Sequence, residues 1–168
     1  HHIYLHVAAK IVKKDGTNLE WDDADTTKQD HVMFTNNTLH SLFSNVSVYA
    51  NDVLIWNSNG LYAQKAYIET EWSHSGGSKR SWLKCQGYEY ASNPEQFSAF
   101  TNRLEQTKKS NVINLYGRLA IDVFNCEGLL VSGTKISIRL DRSDSGVALL
   151  SDQDVKLYLP KIESASLV

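Results

Sequence analysis

The sequence has little of what marks secreted scaffolds, membrane proteins or nucleic-acid-binding proteins. Its 168 residues include two cysteines, too few for the disulfide framework of a small secreted scaffold, and we predict that Cys85 and Cys126 are reduced and buried. No apolar run approaches the ~20 residues that a membrane helix needs. The 17 lysines and arginines are balanced by 19 aspartates and glutamates. Bulk charge therefore does not attract nucleic acid or an acidic membrane.

Motifs of catalytic and metal-binding sites are also missing. No pair among His31, His40 and His74 has the spacing of a zinc site. The acidic run at residues 22–25 lacks the glycine and the distal glutamate of a calcium loop, and there is no G-x-S-x-G elbow for a nucleophilic serine. The sequence therefore predicts a protein that is not an enzyme and holds no metal or cofactor.

Residues 75–80 form the best candidate for an anion site. Two glycines there would permit close backbone approach, and Lys79 and Arg80 follow them, but the segment lacks the spacing of a phosphate-binding P-loop. The alternative interpretation is a flexible exposed loop. Surface aromatic residues could also stack on sugars or bases, although we predict that Trp56, Trp72 and Trp82 lie in the core.

Alternating apolar residues predict about eight strands. In the first strand, Leu5, Val7, Ala9 and Ile11 fall on one face, and Asn51-Asp52 is suited to a hairpin turn because both residues tolerate a positive φ. The predicted strands are residues 3–13, 31–34, 46–50, 53–56, 112–124, 135–140, 147–150 and 155–159, with 165–168 as the start of another.

Short helices are predicted in the connections between these strands. Residues 39–43 fit one helical turn, and residues 61–72 have helical spacing because Leu61, Lys65, Ile68 and Trp72 recur every three or four positions. Asn93-Pro94 is expected to open a third helix, since proline is favoured at the first helical position. Gly117 interrupts a strand and suggests a bulge or a close backbone approach.

The order of these elements favours one fold class. The chain has no alternation of strands and helices, no heptad and no internal repeat, and many short strands with long crossovers favour two packed sheets. We predict a single all-β domain over residues 1–168: a jelly-roll β-sandwich with short helical insertions.

Several blocks of sequence resemble a family of capsid proteins. Residues 36–44 read Asn-Asn-Thr-Leu-His-Ser-Leu-Phe-Ser, Tyr62 precedes Ala-Tyr-Ile-Glu-Thr at 66–70, and Gly-Arg-Leu at 117–119 precedes Asp-Val-Phe at 122–124. Their order and spacing resemble the minor capsid, or penton, protein of Maverick/Polinton elements and their adintovirus relatives. The positions that carry the resemblance are Asn36, Asn37, Leu39, His40, Ser41, Leu42, Phe43, Tyr67, Glu69, Arg118 and Asp122.

The resemblance implies a structural subunit that assembles with copies of itself. Such proteins form homopentamers at the fivefold vertices of a virion, beside a double-jelly-roll major capsid protein, after assembly in the cytoplasm or nucleus of the host cell. They need no direct contact with nucleic acid and no membrane span. Family members are longer at both ends, which implies a trimmed domain here. They more often carry Asn-Gly where this chain has Asn51-Asp52, and Leu-Leu where it has Glu71-Trp72.

The motif around His40 has a structural interpretation. We expect Leu39, Leu42 and Phe43 to pack a short helix on the edge of the sandwich and His40 to bond backbone there. Two other functions stay open: a carbohydrate- or receptor-binding β-sandwich, suggested by loop aromatics and the acidic run at 22–25, and a cupin-type enzyme, which would need a histidine-rich metal site that is absent from the sequence.

Overall fold

The strands of the protein form three antiparallel sheets. The computed structural model describes residues 3–25, 29–90, 98–125 and 131–168, without the side chains of residues 98, 99 and 125. The sheet orders are β5-β1-β8, β2-β7 and β4-β3-β6, a mostly β architecture compatible with a β-sandwich. The strands are β1 (Tyr4–Lys13), β2 (Val32–Phe34), β3 (Phe43–Ala50), β4 (Val53–Asn57), β5 (Ile113–Arg118), β6 (Ile136–Arg142), β7 (Leu149–Ser151) and β8 (Tyr158–Leu167).

Helices occupy the connections, and two of them are longer than short insertions. The α-helices are α1 (Thr38–Ser41), α2 (Tyr62–Ser73), α3 (Gly76–Arg80), α4 (Ser98–Thr107), α5 (Asp122–Asn125) and α6 (Ser145–Ala148), and 3₁₀ turns cover Trp82–Gln86, Lys108–Ser110 and Val155–Leu157. No helix within the described ranges is long and apolar enough to cross a membrane.

The core forms around β1, as the alternation of its residues predicts. Leu5, Val7, Ala9 and Ile11 are all buried, because alternate side chains of a strand point to the same face. They belong to one hydrophobic cluster with residues of β2, α1, β3 and β5. The predicted burial of this strand face is confirmed.

The turns around α1 and β4 also follow the sequence. Asn37 precedes α1 with a φ of 60°, a left-handed conformation that asparagine tolerates better than most residues. Asn51 and Asp52 have φ values of 48° and 66°, and they join β3 to β4 in an antiparallel hairpin. Both the helical turn near residue 39 and the hairpin at Asn51-Asp52 are confirmed.

Three strand predictions are wrong at their ends. The strand expected at residues 112–124 ends at Arg118, and Asp122–Asn125 is helical. Residues 145–148 form α6, so β7 begins only at Leu149. At residues 154–157, Asp154 accepts a hydrogen bond from the Lys156 N–H and opens a 3₁₀ turn. Strand β8 then runs on to Leu167, so the strand expected at 165–168 is its final part.

The predicted burial of three side chains is wrong as well. Cys85 is an exposed free cysteine, because it lies on the outer side of a 3₁₀ turn that buries Leu83 and Gln86. Trp72 and Trp82 are 86% and 49% exposed. Cys126 and the predicted helix start at Asn93-Pro94 lie outside the described residues, and α4 is described from Ser98.

The predicted helix at 61–72 is present, but it buries a different face. Helix α2 buries Tyr62, Ala66 and Thr70, which lie four residues apart. The stripe of Leu61, Ile68 and Trp72 therefore faces outward and is exposed.

Residues 75–80 are not a flexible loop. Ser75 caps α3 by accepting from the Ser78 N–H, and Lys79 is buried, with its ammonium 2.9 Å from the Glu71 carbonyl oxygen. One of the two cations that suggested an anion site is therefore already paired within the fold.

Candidate functional site

A cleft opens between α2, the 3₁₀ turn Trp82–Gln86 and the chain that leaves β5. Its volume is about 480 Å³, within the range typical of small-molecule sites. No group of three histidine, cysteine, aspartate or glutamate side chains that could hold a metal occurs among the residues described here. The polar and aromatic residues that line the cleft include His40, Glu69, His74, Trp82, Gln86 and Arg118.

His40 lies at the bottom of this cleft and is held by a side chain. Its Nδ1 lies within hydrogen-bond distance of the Tyr62 hydroxyl oxygen, at 2.9 Å. The Ala120 N–H donates to the same hydroxyl oxygen at 3.2 Å. Burial lowers the pKa of His40 to about 4, against a weaker opposing effect of a hydrogen bond to Gln86, so the ring is neutral at neutral pH. The expected bond from His40 to backbone is replaced by this bond to Tyr62.

A series of side-chain hydrogen bonds runs from Gln86 through Asn37 to Thr70 of α2. Gln86 Nε2 donates to Asn37 Oδ1 at 2.9 Å, and Asn37 Nδ2 donates to Thr70 Oγ1 at 3.3 Å. The Thr70 hydroxyl donates in turn to the Ala66 carbonyl at 2.8 Å. Because buried polar groups are costly unless they are paired, this chain fixes the orientation of the Gln86 amide.

Gly117 permits the close approach of these residues. A Cβ atom at this position would lie 2.8 Å from Leu39 Cδ2 and 2.9 Å from Gln86 Oε1, closer than real Cβ contacts. The close backbone approach expected at Gly117 is therefore confirmed.

Glu69, which lines the cleft, belongs to an ion-pair network. The Lys65 ammonium lies 3.2 Å from Glu69 and 3.0 Å from Asp122, and Asp122 also accepts from Trp56 Nε1 at 3.1 Å. The hydrogen bond from Lys65 is the main cause of the lowered pKa of Asp122. These contacts connect α2, β4 and α5.

His74 and Trp82 both line the cleft. Their rings meet edge to face, with centroids 5.2 Å apart and planes 69° apart. The Nδ1 atom of His74 is buried, and no described residue gives it a hydrogen-bond partner. A buried ring nitrogen without a partner is rare in folded proteins.

The structure brings together only some of the residues that carry the family resemblance. His40, Glu69 and Arg118 line the cleft, and Asn37 supports it through Gln86. The others lie elsewhere. Leu39, Ser41, Leu42 and Phe43 are buried, Asn36 exchanges two hydrogen bonds with the Glu89 backbone, Tyr67 is exposed on α2, and Asp122 belongs to the ion-pair network.

Sequence reasoning missed the part that four residues play in this site. Tyr62 was marked only as the start of a block that carries the resemblance, Gln86 was not marked at all, and His74 was considered only as a metal ligand. Trp82 was predicted in the core. The poor apolar alternation of residues 81–90 was the available signal against a core position for Trp82.

The outer strand β4 is the most exposed apolar segment of the described sheets. Val53, Leu54 and Ile55 are 65%, 49% and 41% exposed. The register pairs Val48 with Trp56 and Tyr49 with Leu54, so Ile55 is the extra residue of a β-bulge. We call Val53–Ile55 the outer-strand patch.

A shallow apolar groove lies between α2 and α6. It has a volume of about 310 Å³, and its lining includes Ala63, Tyr67, Ile68 and Val147. Tyr67, Ile68 and Val147 are all exposed. We call this surface the α2–α6 groove.

Comparisons with known proteins do not assign a function, so a functional assignment rests on the cleft, the outer-strand patch and the groove. No family model matches the chain, and no curated protein is significantly similar to it in sequence.

Proposed function

We propose that the chain is a structural capsid subunit, similar to a penton protein, which assembles head to tail with copies of itself. In this arrangement the outer-strand patch of one copy lies against the α2–α6 groove of the next. The observation that carries the proposal is the exposure of all three apolar side chains of the outer-strand patch.

Consecutive side chains of a regularly paired strand point to opposite faces. Val53 and Leu54 pair in regular register with Ala50 and Tyr49, and both are exposed, so both faces of β4 project beyond the core at this end. A projecting apolar edge strand favours pairing with another chain. The three side chains are already partly buried, so complete burial of each would contribute about half of the roughly 1.5–3 kcal/mol gained by a fully exposed side chain.

A contact between two different patches produces a ring when its rotation closes. The outer-strand patch and the groove are such a pair, because one projects from a sheet edge and the other is concave. A ring of five copies is the assembly that the family resemblance implies.

The strand pairing supports a single jelly roll as the fold of this subunit. An eight-stranded jelly roll can be described as an antiparallel ribbon with strand pairs 1·8, 2·7, 3·6 and 4·5, wrapped into two sheets. The pairs β1·β8, β2·β7 and β3·β6 occur here. In the described residues β4 pairs with β3, and β5 with β1, in place of a β4·β5 pair.

The larger context of the proposal follows from the resemblance of residues 36–44 and the later blocks. The subunit would form a homopentamer at a capsid vertex, beside a double-jelly-roll major capsid protein, in a virion assembled in the host cytoplasm or nucleus. Its balanced charge supports a role that needs no direct contact with nucleic acid.

A matched pair of variants tests the assembly. Leu54 and Leu157 are similarly exposed, at 49% and 52%, but only Leu54 belongs to the outer-strand patch. We expect sedimentation velocity to show an oligomer for the wild type and for Leu157→Lys, and a monomer for Leu54→Lys, because a buried lysine without a partner is costly. A monomeric wild type at high concentration, or equal effects of both variants, would refute the proposal.

A further inference from the structure

We propose that Trp72 is the anchor of the contact between copies, on the side that receives the outer-strand patch. The occupant of this surface is a second copy of the chain, so the inference rests on the proposed function and adds to it the residue that contributes most to the contact. The receiving surface then consists of the α2–α6 groove and the exposed residues Leu61, Ile68 and Trp72, which we call the α2 stripe.

Trp72 differs from the other tryptophans in its surroundings. The other three each contact a described side chain: Trp21 with Lys108, Trp56 with Asp122 and Trp82 with His74. Trp72 is 86% exposed, and its ring has no stacking, edge or cation contact within the described ranges. Tryptophan is enriched among the residues that dominate binding at protein interfaces, so a bare indole on a helix indicates a surface that assembly covers.

The α2 stripe is continuous with the groove through Ile68. This residue lines the groove, and Trp72 lies about one helical turn further along the same face, because residues four apart on a helix are neighbours. Leu61 lies at the N-terminal end of the helix and is 60% exposed. A chain that enters the groove can therefore extend onto Trp72 without leaving an apolar surface.

The area of the contact requires more surface than the patch and the groove supply. A stable contact between two proteins buries about 800 Å² on each partner. The three side chains of the outer-strand patch are partly buried already, so they offer only on the order of 200 Å² of apolar surface. Burial of one tryptophan adds roughly 150–250 Å². Trp72 is therefore the largest single addition that α2 can make to the receiving side.

The charges of α2 favour a protein surface over a lipid surface as the occupant. Helices that lie in a membrane interface are rich in lysine and arginine on their polar face. Helix α2 has Lys65, Glu69 and Glu71 as its charged residues, and Lys65 is paired with Glu69 and Asp122. The helix has no basic excess that would hold it at an anionic membrane.

The first measurement is the Kd of assembly, obtained by sedimentation velocity over a concentration series. The proteins are the wild type, Trp72→Ala and the control Leu157→Ala, since Leu157 is 52% exposed and belongs to none of the proposed contact surfaces. We expect Trp72→Ala to raise the Kd at least tenfold and Leu157→Ala to change it by no more than about twofold. Circular dichroism checks the fold, which an exposed side chain should not affect.

The second measurement, tryptophan emission, separates direct burial of Trp72 from an indirect effect. Indole emission moves to shorter wavelength when the ring leaves water. We expect this blue shift when the wild type is concentrated through its Kd, and the same shift in Trp21→Phe. The shift should be absent from monomeric Leu54→Lys, and from Trp72→Phe even when that variant is assembled.

Equal Kd values for the wild type and Trp72→Ala, or a blue shift that persists in Trp72→Phe, would overturn the anchor role and leave assembly through Leu54 standing. A monomeric wild type would instead refute the proposed function, and this inference with it. Vesicles of phosphatidylcholine and phosphatidylserine are added to Leu54→Lys as a third arm. A blue shift there that Trp72→Phe abolishes would identify a lipid surface as the occupant and overturn the inference.

Discussion

At the scale of single residues, buried polar groups beside the cleft hold one another in place. His40, Tyr62, Asn37 and Gln86 are all buried, and each bonds another side chain at 2.9–3.3 Å or a backbone N–H. Such a network specifies one arrangement of α1 against α2, because an unpaired member would leave a desolvated polar atom behind.

Buried His40 should make stability depend on pH in a defined direction. Its folded pKa of about 4 lies below its ordinary value of 6.5, so the unfolded chain binds the proton more tightly. The stability that depends on the neutral, buried His40 ring is complete above pH 6.5 and falls as the pH drops from 6.5 towards 4. We expect the wild type to lose roughly 2 kcal/mol more free energy of unfolding than His40→Gln between pH 7 and pH 5.

Urea unfolding of the wild type and of His40→Gln at both pH values measures this difference. The effects of carboxylate protonation are common to the two proteins and cancel in the comparison. The Leu54→Lys background keeps the chains monomeric, so that dissociation does not contribute. Equal losses in the two proteins would show that His40 is not buried in its neutral form.

At the scale of elements, Gly117 determines how closely β5 approaches α1 and the Trp82–Gln86 turn. Gly117→Ala should destabilise the fold by about 1–3 kcal/mol, because the new methyl group would overlap Leu39 and Gln86, both of which are buried. Gly77→Ala is the control, since a Cβ there meets nothing closer than 3.7 Å and alanine favours a helix. Thermal unfolding that shows no difference between the two variants would contradict the close approach.

The elements also show how far the sequence alone predicts this fold. Strict alternation predicted β1 and its buried face, and asparagine and aspartate predicted the turn at Asn51-Asp52. The buried face of α2 was not predictable in the same way, because Tyr62 and Thr70 are buried through hydrogen bonds to Ala120 and Asn37. These partners are distant in sequence, and the apolar stripe of the helix faces outward instead.

The cleft could not be predicted from local sequence patterns, for a similar reason. It combines residues from α1, α2, the 3₁₀ turn and the end of β5, and periodicity carries no information about contacts between such separate segments. The resemblance marked His40, Glu69 and Arg118 among eleven positions in separate blocks, but it did not indicate that these three meet, and it did not mark His74 or Trp82.

At the scale of the whole molecule, the proposed assembly depends on two unlike apolar surfaces of a β-rich chain. The outer-strand patch projects from the β4-β3-β6 sheet, and the α2–α6 groove is concave. If both are used in each copy, substitutions at the two surfaces should complement each other, because a head-to-tail contact needs only one intact patch from each partner.

Native mass spectrometry of a mixture of Leu54→Lys and Ile68→Lys tests this claim most directly. Leu54→Lys keeps an intact groove, and Ile68→Lys keeps an intact outer-strand patch. We predict that each variant alone is monomeric and that the equimolar mixture forms a heterodimer that grows no further. A mixture that stays monomeric, or a single variant that still forms the wild-type oligomer, would contradict head-to-tail assembly through these surfaces.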